Sequence, residues 1–557
     1  MKRMSVQELL ALHGRSESDH HLMQDEWDDL AKLIRPSMGG MISPHQPGEK
    51  RTERIFDSTA PQAVSDLSNF LSAALTPSAS AWLDLSFRDG KLSETKTAAK
   101  WLQDCTEVMR TEILNSNFYA AFSELYADAV TFGTGVVQAD GRYDQLGKFE
   151  GLHFESVWIK EVTALANQYG DLTTTFRCYE QTALQWAGKF GKDVGERLLK
   201  ISGEKPETPV KFLHVVYPRD LADIDREGVM RGIAQEKKMP FASVWINLMD
   251  KVIVKEGGFM ELPRYVVRWA KASNSIWGYG PGHLALPDIR TLNEAVRLEL
   301  EAWERSIDRP MVTSPNNLMG DLNLGPGGLT VARRPQDLRP LTDATDFTLT
   351  AIKTDELRAS ILRTFYADLI REPSEMKSGT TAYEVAKRIE RAQRILGETV
   401  GHLQSMLKWV VERSFQILFR EGRLPPAPEG LLELGPKIDV RYISPLRQSQ
   451  EAQGVEQLTL FIGDVAQMAA IQQQAGEAPT ALDWVNWDGA VEELAKRRNA
   501  WAAALNTEGD VQAIREERQQ AQQAAAQAEQ AANAAKAVRD VGAGVGADQA
   551  LRLVNGA

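Results

Sequence analysis

The chain has 557 residues, 43% hydrophobic and 25% charged, which is the make-up of a folded protein with sizeable cores and excludes disorder along its whole length. Asp and Glu number 76 against 64 Lys and Arg, and the formal charge of -12 argues against tight gripping of nucleic-acid phosphates, an affinity that needs an excess of cations. Cys105 and Cys178 are too few for a disulfide framework, and no apolar run reaches the length of about eighteen residues that a membrane-spanning helix needs. Lys2 and Arg3 are followed by Ser5, Gln7, Glu8 and His13 rather than by the apolar core of a signal peptide, so a soluble protein made in the cytosol is expected.

Ser5 and Glu8 have capping-box spacing and open a helix that stops near Arg35-Pro36. Thr59 and Gln62 repeat that spacing, with Pro61 in the first turn. Val64, Leu67, Leu71 and Leu75 then form one stripe up to Thr76-Pro77. Two more helices read at about 93–115 and 117–132, the second closed by Gly133. The texture then turns to alternating or β-branched runs: Gly135 to Tyr143, His153 to Ile159, Leu172 to Tyr179, Val210 to Tyr217, Ala242 to Val254 and Arg264 to Trp269. Residues 1–285 therefore read as one α+β region.

From Asp288 to Asp308, Ile289, Leu292, Val296, Leu300, Trp303 and Ile307 step by three or four along an otherwise charged helix. Such a helix is either a surface helix over a core or a strut packed against copies of itself. Residues 311–347 are rich in turn formers, with Pro315, Gly320 and "LGPGGL", and fit a compact loop or small β unit. A helix over about 349–370 follows, with Leu357, Ile361, Phe365 and Leu369, so the whole is a helix, insertion, helix hairpin.

Arg371, Glu372 and Pro373 end that helix, and Thr381 with Glu384 starts a long one to about 420. Gly397 and Gly401, one turn apart, predict a kink or a close helix contact. Lys387, Arg388, Arg391 and Arg394 make a basic face, read either as contact with a polyanion or acidic neighbour, or as a solvated face paired with Glu384 and Glu390. Residues 438–443 read as a strand and 444–505 as helices. The Ala/Gln/Glu/Arg segment 511–540 has little to bury. It is either a solvated tail or an Ala-faced helix against identical neighbours, and 541–557 is expected to be flexible.

Signatures of familiar enzymes are missing. Each Gly-Lys pair lacks the following Ser or Thr of a phosphate-binding loop: Lys91 precedes Leu92, Lys148 precedes Phe149, Lys189 precedes Phe190 and Lys192 precedes Asp193. Gly280, Gly282 and Ala285 resemble a dinucleotide fingerprint only loosely, with Pro281 in the turn, and read as a structural loop. His20 and His21 beside Asp19 and Asp25 could be drawn as a metal site, but adjacent helical residues diverge, and a solvated helix face is the plainer reading. No H-E-x-x-H or G-x-S-x-G occurs. No catalytic residue, metal or cofactor is assigned.

Six strings together resemble the portal, or head-to-tail connector, proteins of short-tailed (podovirus) double-stranded DNA phages: "DSTAPQAVSDLSNFLSAALTP", "FYAAFSELYADAVTFGTGVV", "HVVYPR", "YVVRWAKASNSIWGYGPGHLALPDIRTLN", "TTAYEVAKRIERAQRILG" and "YISPLRQSQ". Their order and their spread from Asp57 to Gln450 carry the likeness.

The resemblance implies a mixed, mainly α (α+β) portal fold: an α+β wing over 1–285, stem helices over 286–310 and 348–371, a clip over 311–347, a tunnel loop over 372–380, a long kinked helix and return strand over 381–443, and a helical crown over 444–540. It further implies a non-enzymatic homo-oligomeric ring, typically of twelve copies, at one capsid vertex of the virion. Such a ring is assembled in the host cytoplasm, passes double-stranded DNA without reading its sequence, and serves as a platform for terminase, tail adaptor, capsid and scaffold proteins, with no membrane. Pro373, Ser374, Glu375, Met376, Lys377, Ser378 and Gly379 would border the channel. Other readings are a different virion structural protein, such as a tail or scaffold component, or an unfamiliar nuclease or NTPase.

Overall fold

The computed structural model describes residues 4–38, 40–42, 52–78, 82–87, 96–144, 146–231, 234–271, 275–307, 311–312, 347–370, 397–427, 438–442, 445–475, 478–497 and 508–554, with isolated positions between 316 and 340. It divides into two compact units, Met1–Gln448 and Ser449–Ala557.

The first unit opens with α1 (Val6–Leu33), which begins where expected. The Ser5 hydroxyl accepts from the Glu8 amide, and the Glu8 carboxylate accepts from the Ser5 amide at 2.7 Å. Helix α2 (Thr59–Leu75) also forms, but its expected capping box does not. Ser58 is the N-cap, Asp57 Oδ1 accepts from the Thr59 amide at 2.9 Å, and Gln62 turns its amide to the Ser58 hydroxyl. Helices α3 (Lys96–Asn115) and α4 (Phe118–Phe132) follow, and Gly133 closes α4 in the left-handed region at φ 64.

Strands β2 (Thr134–Tyr143), β3 (Phe149–Ser156) and β9 (Arg264–Arg268) form an antiparallel sheet in the order β3-β2-β9. A second sheet is an antiparallel meander of β4 (Val162–Ala166), β5 (Leu172–Thr182), β6 (Pro209–Pro218), β7 (Phe241–Asn247) and β8 (Val252–Phe259). Two corrections to the reading arise here. Strand β4 has no separate signal in the sequence, and the run Ala242 to Val254 is two strands rather than one. Asn247 makes the corner: its side-chain oxygen accepts from the Met249 amide, its nitrogen donates to Asp250, and Lys251 follows at φ 53. Short helices α5 (Ala183–Phe190) and α6 (Glu196–Glu204) cover one face of this meander, while α7 (Arg226–Arg231) lies in the β6–β7 connection.

Helix α8 (Pro281–Ile307) starts seven residues before the expected Asp288. Pro281 occupies its first turn, where a missing N–H costs nothing, and Pro287 is accommodated inside it. Helix α9 (Phe347–Thr364) ends at Tyr366, whose φ is 57, before α10 (Ala367–Ile370). Helix α11 (Gly397–Arg420) carries Val400, Leu403, Leu407, Val411 and Leu418 into the main core. An added Cβ at Gly397 or Gly401 would meet nothing within 4 Å among the described residues, so no close helix contact is made there by those residues. Strand β10 (Ile438–Tyr442) returns to pair antiparallel with β1 (Leu83–Phe87), Leu85 facing Val440. The main core draws on α1, α2, α3, α4, α8, α9 and α11 together, around Trp27, Phe118, Phe122, Phe154 and Met406.

The second unit takes in most of α12 (Pro445–Gln474), then α13 (Trp487–Arg497) and α14 (Glu508–Val554). Helix α14 runs through the segment expected to be flexible, with only Val511 half-buried among its described side chains. Arg515 holds Asp488 through two bonds, at 2.9 and 2.5 Å.

Candidate functional site

The hairpin expected to be functional is formed by α8 and α9. Its helices run antiparallel: Ser360, near the end of α9, donates to Asp288, near the start of α8, at 2.7 Å. The root is fixed on several sides. Arg290 pairs with Asp29 of α1, Asn293 accepts from the Phe56 amide and donates to the Arg54 carbonyl, and Arg358 holds Asp57 at 3.0 Å. Burial works against the Asp57 carboxylate, but hydrogen bonds from Thr59 and Arg358 outweigh it and hold its pKa below the usual value.

The apolar stripe of α8 divides at its middle. Ile289, Leu292 and Val296 are buried in the main core with Ile361 and Phe365 of the return segment. Leu300, Trp303 and Ile307 continue the same stripe, yet they are 46%, 61% and 72% exposed, with Leu298 and Ile352 also open to solvent. The outer half of the stripe therefore has no cover within the chain's described residues.

The helix is positioned by a junction of glycines. Gly278 and Gly280, just ahead of it, and Gly282 in its first turn lie directly against the end of α4. A Cβ on Gly133 would sit 2.5 Å from the Gly278 carbonyl oxygen, and one on Gly282 would overlap the Thr131 carbonyl oxygen. Close packing accounts for the "GTG" and "GYGPG" strings: Gly280 lies ahead of the helix, whereas Gly282 and Ala285, read as part of the same loop, fall inside α8, and the sequence contained the signal though not its meaning. Beside the junction, His283 accepts from the Gly280 amide through Nδ1, and burial pushes its pKa down to about 4.

Sequence reasoning missed the charged side chains that tie the remaining elements together. Arg413 of α11, almost fully buried, donates to the Ala139 carbonyl, to Asp140 at 2.8 Å, and to both the carbonyl and carboxylate of Glu261. Arg420 adds two bonds to Glu261. Arg177 grips Glu155 with two nitrogens and reaches Glu161. These bonds outweigh its burial and keep its pKa raised. Asp128 has its pKa pushed up to about 6 by burial, against the Arg35 guanidinium and the Ser156 hydroxyl beside it. These groups are spoken for by structural partners within the first unit.

Other expectations resolve individually. Among the described residues no group of His, Cys, Asp and Glu could hold a metal ion, and no helix is long and apolar enough to cross a membrane. His20 is not on a solvated face, as expected, but 2% exposed: α1 turns it inward, where its ring meets Trp27 and Trp277. The channel-loop residues Pro373, Ser374, Glu375, Met376, Lys377, Ser378 and Gly379, and the basic face Lys387, Arg388, Arg391 and Arg394, lie outside the described residues, as does most of 311–347.

Residues 6–505 match the family described as bacteriophage head to tail connecting protein. The chain is 25% identical over 492 residues to the probable portal protein of Bordetella phage BPP-1, covering 86% of each. It is also 25% identical over 534 residues to the portal protein of Salmonella phage epsilon15, covering 93% of this chain and 92% of that one. A chain from the virion of a native gene transfer agent particle aligns over 78% of this chain and 95% of its own, at 12% identity and a TM-score of 0.33. With the family match spanning nearly its whole length, the chain belongs to the bacteriophage head-to-tail connecting proteins.

Proposed function

We propose that this chain is the subunit of a portal: a closed ring at one capsid vertex, through which double-stranded DNA enters the head and later leaves it. The observation that carries this reading is the divided stripe of α8. Fully burying a large apolar side chain contributes about 1.5–3 kcal/mol, so Leu300, Trp303 and Ile307 are a sufficient reason for identical struts to associate side by side. A closed ring gives each subunit two such interfaces. In this reading residues 1–285 are the wing, 286–310 and 348–371 are the stem helices, 311–347 is the clip and 444–540 is the crown. The subunit catalyses nothing; a separate terminase supplies ATP hydrolysis, tail adaptors dock on the ring, and twelve is the expected copy number.

Replacing Trp303 and Ile307 together with glutamate tests the stem. Both side chains are mostly exposed, so the subunit's own unfolding free energy should change by no more than about 0.5 kcal/mol. Mass photometry should nevertheless show rings of the 61.9 kDa chain replaced by monomers. Rings that persist at the wild-type concentration would remove the stem's proposed role.

The channel is assigned to Glu372 to Thr380, where Pro373 cannot extend a helix, Thr381 can start the next, and Ser374, Ser378 and Gly379 leave the middle compliant. Lys377 is its one cation, so a DNA phosphate would be touched rather than held. Deleting Ser374 to Ser378 should leave ring assembly intact while lowering DNA packaging or retention in infected cells. Normal packaging and retention would refute the assignment.

A further inference from the structure

The buried side of α1 reads Leu9, His13, Ser16, His20, Met23, Trp27, at steps of four and three. Its ends are apolar and its middle is not. Leu9 packs with Phe176, Leu213 and Val215 on one face of the five-stranded sheet, and Met23 and Trp27 belong to the main core. Between them, Ser16 bonds the Thr163 hydroxyl at 2.8 Å, His13 Nδ1 lies 3.4 Å from the same hydroxyl, and His20 Nε2 meets the Ile159 carbonyl at 3.0 Å.

This seam has a fixed proton direction. His20 Nε2 faces a carbonyl and must carry a proton, which leaves Nδ1 as an acceptor for the Gln24 side-chain nitrogen at 3.3 Å. The Gln24 oxygen lies 2.9 Å from His21 Nδ1, so turning Gln24 over requires the exposed His21 ring to accept there instead of donating. A second proton on His20 would force Gln24 and His21 to rearrange and would place a positive charge in a buried site between Trp27 and Trp277.

The surrounding charges give little relief. On α1 itself they are Glu17, which favours a proton on either ring, and His21, which opposes one on His20. From the packed elements come Lys160 and Glu161 beside Ile159, Cys178 and Glu180 on β5, and Lys211 on β6. Burial lowers the pKa of His13 against Glu17, and that of His20 against the Ile159 bond. Both rings are thus neutral at pH 7, and a freed α1 binds more protons than a docked one as pH falls below about 6.5.

We propose that His13, Ser16 and His20 form an acid-sensitive latch: neutral imidazoles hold residues 6–20 on the β4 side of the five-stranded sheet, and protonation releases that segment while Met23 to Leu33 stays rooted in the main core. The division follows from the packing. Trp27, Leu30 and Ala31 are fully buried, whereas among the described residues before His13 Leu9 is the one fully buried side chain.

Hydrogen exchange by mass spectrometry on the full chain at pH 7.5 and 5.5, corrected for the intrinsic rate, tests this. Peptides from 6–20 should lose protection about tenfold or more at pH 5.5, while 23–33 and 403–418 keep theirs. Unchanged protection of 6–20, or a uniform loss across all three segments, would overturn the latch. Because the wild-type chain alone decides this, the test does not depend on a variant that folds. Substituting His13→Asn and His20→Gln, which keep polar atoms without titrating, should abolish the pH difference; a wild-type response in that variant would also overturn it.

Discussion

Gly282→Ala should leave little of the first unit correctly folded, with a loss of about 3 kcal/mol or more in urea unfolding. Overpacking commonly costs 1–3 kcal/mol when neighbouring side chains can yield. Here the added Cβ meets the Thr131 carbonyl oxygen, which is helix backbone, and the backbone at Gly133 and Gly278 is just as tightly apposed. Relief would require moving the start of α8 and with it the root pairs Arg290–Asp29 and Ser360–Asp288. Gly14→Ala is the control: nothing lies within 4 Å of an added Cβ there, so that variant should gain about 0.5–1 kcal/mol from helix propensity alone. A Gly282→Ala midpoint matching wild type would show that the junction is not tight.

Arg413→Ala should cost about 2–4 kcal/mol by the same measurement. Breaking a buried ion pair from one side typically costs 3–5 kcal/mol. The expectation is lower because Asp140 and Glu261 remain 30% and 28% exposed, and water can partly resolvate both. The Ala139 carbonyl, which accepts from Nε at 2.5 Å, loses its partner as well. Arg413→Lys should recover less than half of the loss, since one ammonium cannot span a carbonyl and two carboxylates lying in different directions. A cost below about 1 kcal/mol for the alanine variant would mean that α11 is held by Val411, Phe415 and their apolar neighbours rather than by this clamp.

Much of the local structure was legible because its causes are local. The Ser5–Glu8 box, the left-handed glycine after Phe132 and the stripe of α8 each act within a few residues, so they can be read without knowing what lies opposite. The failures are local signals overruled by something distant or ambiguous. Thr59 has capping spacing, but Asp57 already satisfies its amide, and the helix read from Asp288 in fact starts at Pro281 and passes through Pro287. The family likeness was legible too, as six ordered strings spread over most of the chain, and the match over 6–505 agrees with it.

The sequence by itself determined the order of helices and most strands, the membership of a family and the want of familiar catalytic motifs. Only the tertiary structure decided which of those elements meet. β10 joins β1 across some 350 residues, His20 turns from an assumed surface into an aromatic pocket, and three glycines ahead of and within α8 prove to be contacts with the end of α4. The stripe of α8 is the clearest instance: six residues with one periodicity and one chemistry, of which Ile289, Leu292 and Val296 are covered and Leu300, Trp303 and Ile307 are not. Periodicity reports that a face is apolar. What covers that face depends on residues far away in the chain, or in another copy of it, and no spacing within the helix encodes that.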